Sequence, residues 1–254
     1  MFTLLRNWLR HRLGQPQIPA AAWQSAMAAL PLIARLHPPD RERLRSLATL
    51  FLQQKALEPA GGLELAPEMG PRIAVQACLP ILNLGLDYYR DWSSIILYPE
   101  GFLARHEYTD SNGLVHNIHR PLIGEAWERG PVILSWANVA ASTTESGHNV
   151  VIHEMAHKLD MLTGRVNGLP PLHRDMAVQD WSQIFNDAYQ HLCQEVDWGR
   201  PTAVDPYAAD SPGEFFAVIS EAFFTTPERV IEAYPDVYQQ LRAFYRQDPL
   251  AHHS

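Results

Sequence analysis

The sequence predicts an α+β protein, mostly helical, with one small mixed β-sheet in its middle. Three observations carry this. Segments near both ends place apolar residues at helical spacing. The middle switches to short β-branched or aromatic runs separated by turn residues. Apolar residues make up 46% of the 254 positions, enough to build a sizeable core.

In chain order, "MFTLLRNWLRHRLGQPQIP" interleaves Arg6, Arg10 and Arg12 with Leu4, Leu5, Trp8, Leu9 and Leu13. A secretory leader would put its arginines ahead of an unbroken apolar run. The spacing predicts a short amphipathic helix packed on the body, too short and weakly charged for a membrane-surface helix. No apolar run reaches the ~20 residues that span a bilayer, and the expected compartment is the cytoplasm. "PPDRERLRSLATLFLQQKAL" predicts a helix with Asp40 as N-cap after Pro38 and Pro39, and Leu44, Leu47, Phe51 and Leu52 as its apolar stripe. "PAGGLELAPEMG" is turn chemistry. "PRIAVQACLPILNLGL" is apolar nearly all round and predicts a buried helix that Pro80 bends or ends.

"SSIILYP", "GFLARHEY" and "GLVHNI" read as strands, and "GPVILSW" is the strongest strand signal, bounded by Gly130 and Pro131. The helix of "NVVIHEMAHKLDML" follows, then a Gly/Pro-rich loop and a helix "DWSQIFNDAYQHLCQEV". A further loop leads to "SPGEFFAVISEAFFTTP", and "PDVYQQLRAFYRQDPL" closes the chain as helices. There is no internal repeat and no low-complexity tract. A formal charge of -8 argues against a bulk electrostatic grip on nucleic acid. Cys78 and Cys193 are far apart in helical surroundings and read as two free thiols.

The chemistry concentrates in "NVVIHEMAHKLDML". Residues four apart lie on one helix face, so His153 and His157 can aim two imidazole nitrogens at one point. Glu154 lies about 100° round the helix and flanks that point rather than ligating there. Zinc lowers the pKa of a water it holds to about 7, and a flanking carboxylate can take the proton. A helix this apolar is a costly place for two unpaired histidines and a glutamate. Asp160, one turn past His157, is in place to orient that ring. A hydrolytic zinc site needs a third protein ligand. Asp160 and Thr163 stand where the metzincin pattern has Gly and His, which excludes that class. Glu214 and Glu221, seven apart on one helical face, are the candidates. Glu214 also completes a capping box from Ser211, with Pro212 at the first helical position. Spacing alone does not choose between the two glutamates.

Together with "FLQQKALEP", "CLPILNLGLDYY", "GLVHN", "IHEMAHKLD", "YAADSPGEFFAVISEAFF" and "FYRQDPL", these features make the chain similar to the Mlc titration factor A family of gluzincin-type bacterial peptidases. The likeness runs almost end to end. "YAADSPGEFF" also resembles the catalytic end of anthrax lethal factor. The resemblance implies a single zincin-like domain over 1–254, with a helical part to about residue 92 and a catalytic part from about 93. It implies one Zn2+ held by His153, His157 and Glu214, with Glu154 as base. Tyr207 would donate to the oxyanion of the tetrahedral intermediate. It further implies that His116 can occupy the fourth zinc position in the resting enzyme. From the residues alone, His106, His116 and His119 look like ordinary loop histidines. Zincins of similar build place their substrate-binding edge just before the zinc helix, so the resemblance also implies that the strand "GPVILSW" lies at the lip of a cleft and pairs with an extended peptide.

The resemblance also implies aminopeptidase-like activity on short peptides. It implies a protein partner as well, the glucose repressor Mlc, whose DNA binding is lost on association, and so control of the glucose phosphotransferase system. The alternative is a non-catalytic repressor-binding module that retains zinc for structure. A third reading is a zincin fold with no metal. Direct nucleic-acid binding and a membrane span are not expected.

Overall fold

The computed structural model describes residues 18–30, 33, 36–100, 102–109, 115–122, 124–126, 130–142 and 147–253. Within these, 29, 102–109, 115–122, 124–126, 252 and 253 are described by backbone alone. The expected N-terminal amphipathic helix lies outside the described residues.

The fold is mostly helical around one small mixed sheet. Helix α1 (Ala20–Ala29) buries Trp23 and Ala26. Helix α2 (Pro38–Gln54) begins at Pro38, whose fixed φ suits the first helical position. Asp40 is therefore inside the first turn rather than its cap, and its Oδ1 pairs with Arg43 at 3.0 Å. The helix also stops earlier than the periodicity predicts. Lys55 turns extended, and Ala56–Pro59 form strand β1. Helix α3 (Met69–Cys78) ends just before Pro80, which has no N–H to continue the ladder.

Strands β2 (Ser94–Tyr98), β5 (Gly124–Ala126) and β6 (Val132–Ser135) join β1 in one sheet of order β1-β2-β6-β5. The first three in that order are parallel, and β5 runs antiparallel to β6. Ile95 pairs with Val132 and Leu97 with Leu134, all four fully buried. Strands β3 (Phe102–Thr109) and β4 (Val115–Leu122) form a separate antiparallel pair. The expectation for "GPVILSW" is corrected here: β6 is an inner strand, paired on both sides, and cannot accept a peptide. Its near-continuous apolar run is the mark of a strand buried within a sheet. The outer strand next to it is β5.

Helix α4 (Trp136–Ala141) leaves β6 directly, capped by Ser135, whose Oγ accepts from Asn138 N at 3.4 Å. Helix α5 (Val150–Asp160) carries the two histidines and packs on β5, β6 and α7 (Pro212–Thr225). Helix α6 (Val178–Asp197) and the closing pair α8 (Pro227–Ala233) and α9 (Pro235–Tyr245) support α7 from behind. An aromatic cluster fills that seam: Trp181 stacks on Phe185 with ring centroids 4.1 Å apart, and Phe216 and Phe244 pack around them. Cys78 and Cys193 are free thiols. Among the described residues no helix is long and apolar enough to cross a membrane.

Candidate metal centre

Two helix starts set the site. Asn149 caps α5, its Oδ1 accepting from Ile152 N at 3.0 Å. Ser211 caps α7, its Oγ accepting from Glu214 N at 3.1 Å. That bond satisfies one of the unpaired amides at the helix start and fixes Glu214 in the first turn. The Glu214 carboxylate points at α5. Its Oε2 lies 3.2 Å from Nε2 of His153 and 3.3 Å from Nε2 of His157. The three donor atoms all fall within 4.8 Å of one another.

This set fits a metal ion. Zinc bonds of ~2.0–2.2 Å at tetrahedral angles put neighbouring ligand atoms about 3.3 Å apart, the separation seen from Glu214 to each ring. Two imidazoles and one carboxylate leave room for a fourth ligand. The electrostatics agree. Burial disfavours a charged His153, yet hydrogen bonding to Glu214 and Glu221 outweighs it and raises the ring's pKa well above the ordinary range. Burial acts against the Glu214 carboxylate too, but the two histidines hold its pKa well below the usual carboxylate range. A divalent cation satisfies the same negative field with the rings neutral.

Glu221, two turns along α7 from Glu214, falls level with the start of α5. Its Oε1 accepts from the Asn149 amide, and its Oε2 lies 3.4 Å from Nδ1 of His153. It therefore backs the ring that Glu214 faces. His148 extends this contact outward, with Nδ1 4.0 Å from Glu221 Oε1 and Nε2 3.8 Å from Asp205 Oδ2. Sequence spacing flagged Glu221 as a rival to Glu214 but held no sign of His148.

Glu154 is 4% exposed, on the same helix and beside His153. Tyr207 sits on a short 3-10 turn held by Asp205, whose Oδ1 accepts the Tyr207 amide at 2.9 Å. Its ring centroid is 6.4 Å from that of His153. Burial, then the negative charges of Glu214, Asp210 and Glu154, push its phenol well above the ordinary range. The hydroxyl thus stays protonated and remains a donor. His116 lies on β4 opposite Tyr108 in β3, and its side chain is outside what is described.

Asp160 takes a different part from the one its spacing suggests. Its Oδ2 accepts from Gly168 N at 2.7 Å, while its Oδ1 and Nδ1 of His157 are both buried with no hydrogen-bond partner among the described residues. Burial raises its pKa to about 6 against the pull of that amide. Asp160 thereby anchors the 164–169 loop, and that loop lies across the first turn of α7. There a Cβ on Gly213 would come within 2.6 Å of Val166 Cγ1. The contact adjoins Glu214 directly.

A largely sheltered His/His/Glu cluster on two packed helices defines a candidate metal-binding protein of α+β, zincin-like build. The model of the family described as glucose-regulated metallo-peptidase M90 matches residues 5–246, and the chain belongs to that family. It is 41% identical over 250 residues to "Mlc titration factor A" of Yersinia pestis (strain Pestoides F), covering 96% of this chain and 91% of the relative. Proteins of that name from Yersinia pseudotuberculosis serotype O:1b (strain IP 31758) and serotype I (strain IP32953) match with the same identity and coverage.

Proposed function

We propose that the chain is a zinc-dependent peptidase acting on short peptides from their amino end. The observation that carries this reading is the meeting of His153, His157 and Glu214 donor atoms within 4.8 Å, with Glu154 on the same helix. When bound, zinc supplies Lewis acidity and brings the pKa of a water to about 7. The Glu154 carboxylate takes the proton of the attacking water and passes it to the leaving amine nitrogen. The Tyr207 hydroxyl donates to the substrate carbonyl oxygen as negative charge develops there. The open side of β5 pairs with the extended substrate backbone. By likeness to the family, His116 would be the residue that holds the remaining position when the enzyme rests.

The relatives' shared name favours a second role for the same chain: binding the repressor Mlc in the cytoplasm and withdrawing it from DNA. The alternative is a repressor-binding module whose zinc is structural only. One substitution separates them. Glu154→Gln removes the base and leaves the three ligands, so zinc is retained and peptide turnover falls by roughly 10²–10⁴, while repressor binding survives. His153→Ala loses both metal and turnover. Stoichiometric zinc in His153→Ala sinks the metal assignment. Full turnover in Glu154→Gln sinks the catalytic one.

A further inference from the structure

Lys158 follows the ligand His157 directly and stands one helical turn past Glu154, yet it is 2% exposed. Burying an ammonium is costly unless it is partnered. An aliphatic side chain would pack this position without that cost. The charge of Glu154, one turn back, acts on the Lys158 ammonium, and two further contacts show where its polar end reaches. Nζ donates to the carbonyl of Gly130 at 2.9 Å and lies 5.5 Å from the centroid of the Trp92 ring. Trp92 is itself held in place, with Lys55 Nζ 4.2 Å from its centroid.

Gly130 belongs to the connection between β5 and β6. Among the described residues, strand β5 is three residues long, outermost in its sheet, and paired on one side by β6. So short an edge has few ladder bonds to hold it, and such segments open at low cost. Helix α5 runs beneath β5 and carries the metal-facing histidines. A donor from that helix to the β5–β6 connection links the edge to the metal centre by one side chain.

We propose that Lys158 is a positioning residue for the substrate: it pins Gly130, at the entry to β6, to the metal helix and so sets where a peptide paired along β5 meets the reacting groups. This rests on the peptidase reading above. Misplacement of a scissile bond by about 1 Å can cost 10²-fold in rate, so a pin at this point has leverage.

The test uses the full-length, zinc-loaded protein and two variants. Lys158→Met keeps the apolar stem against Trp92 and loses the donor, while Lys158→Arg keeps a donor. Amide hydrogen exchange over 124–133 should speed up by about tenfold in Lys158→Met, and Lys158→Arg should restore it. Zinc stoichiometry and exchange over 150–160 should match the parent. Unchanged exchange over 124–133 overturns the proposal. Loss of zinc or loosening of α5 also overturns it, because Lys158 would then be a general support of the helix. In the activity arm, kcat/KM for an extended hexapeptide relative to a single aminoacyl arylamide should fall about tenfold, chiefly through kcat. An unchanged ratio overturns the link to substrate. If the parent protein cleaves neither compound, the peptidase reading fails, and the exchange comparison still decides whether the pin exists.

Discussion

Oε2 of Glu221 stands 3.4 Å from Nδ1 of His153, across the ring from the nitrogen that faces Glu214. A carboxylate there draws the ring proton to Nδ1 and leaves the Nε2 lone pair for a metal. Such partners tune both orientation and basicity. Glu221→Gln keeps the shape and lacks the charge, so zinc affinity should fall by roughly tenfold. Glu221→Ala should lose roughly 100-fold. It also strips the Asn149 amide of its acceptor, so the start of α5 should loosen. Competition with a chromogenic chelator reads the affinities. Parent-like affinity in both variants would show that Glu221 does not serve the metal.

Gly168 adopts φ +77°, and a Cβ there would meet the backbone oxygen of Pro212 at 2.7 Å. Gly62 adopts φ +80° with nothing within 4 Å. The pair separates backbone strain from overlap. Gly62→Ala should cost about 1 kcal/mol, the penalty of a left-handed conformation. Gly168→Ala should cost that plus roughly 1–3 kcal/mol for the clash. Because Pro212 opens the helix that carries Glu214, zinc affinity should drop as well. Denaturant titration of both variants checks the difference, and equal costs would remove the clash from the account.

The local elements were legible because their signals are local. The α5 histidines four apart, the Ser211 cap and the "SSIILYP" strand all depend on a few neighbouring residues, and the structure has helices and strands there. What escaped was partnership across the chain. No window around "PVILSW" reveals that β2 lies on one side of it and β5 on the other. Strand β1 escaped because "KALEP" continues a helical stripe, and it becomes extended only by pairing with β2. Asp160 has the right spacing for His157, yet an amide eight residues downstream takes one of its two oxygens, Oδ2. Nothing in the residues around Lys158 shows that Gly130 and Trp92, far off in the chain, meet its ammonium.

Lys55 provides a pH test of the buried cations. Its ammonium donates to the carbonyls of Tyr89 and Trp92, and burial lowers its pKa to about 8 from 10.5, with Asp91 opposing. Below pH 8 both folded and unfolded chains hold the proton, and the burial cost is fully present. Between pH 8 and 10.5 the folded chain releases the proton while the unfolded chain keeps it. The unfolded state then binds more protons, so this group's contribution to stability rises with pH. Lys55→Met should be less stable than the parent at neutral pH, because two buried carbonyls lose their donor. The gap should widen by roughly 2–3 kcal/mol between neutral pH and the upper part of that window. Denaturant titrations at the two pH values decide it, and a constant gap would mean that Lys55 titrates normally.

His116 bears on how the proposed peptidase would be restrained. It sits on β4 opposite Tyr108, and likeness to the family is what points to its ring as the fourth ligand. If the ring holds that position, substrate must displace it. Apparent affinity then falls by the fraction of enzyme already open. His116→Ala should therefore retain zinc through His153, His157 and Glu214, raise turnover of small aminoacyl substrates, and blunt any activation by a partner protein. Mild acid is a poorer probe: protonation favours release of His116 but also weakens the remaining histidine ligands. Substitution avoids that conflict, because it removes one ring and leaves the others as they were. Zinc content and kcat/KM measured together on one preparation give the answer. Full zinc with unchanged or lower turnover would mean that His116 does not restrain the enzyme, and that the fourth position is open to substrate from the outset.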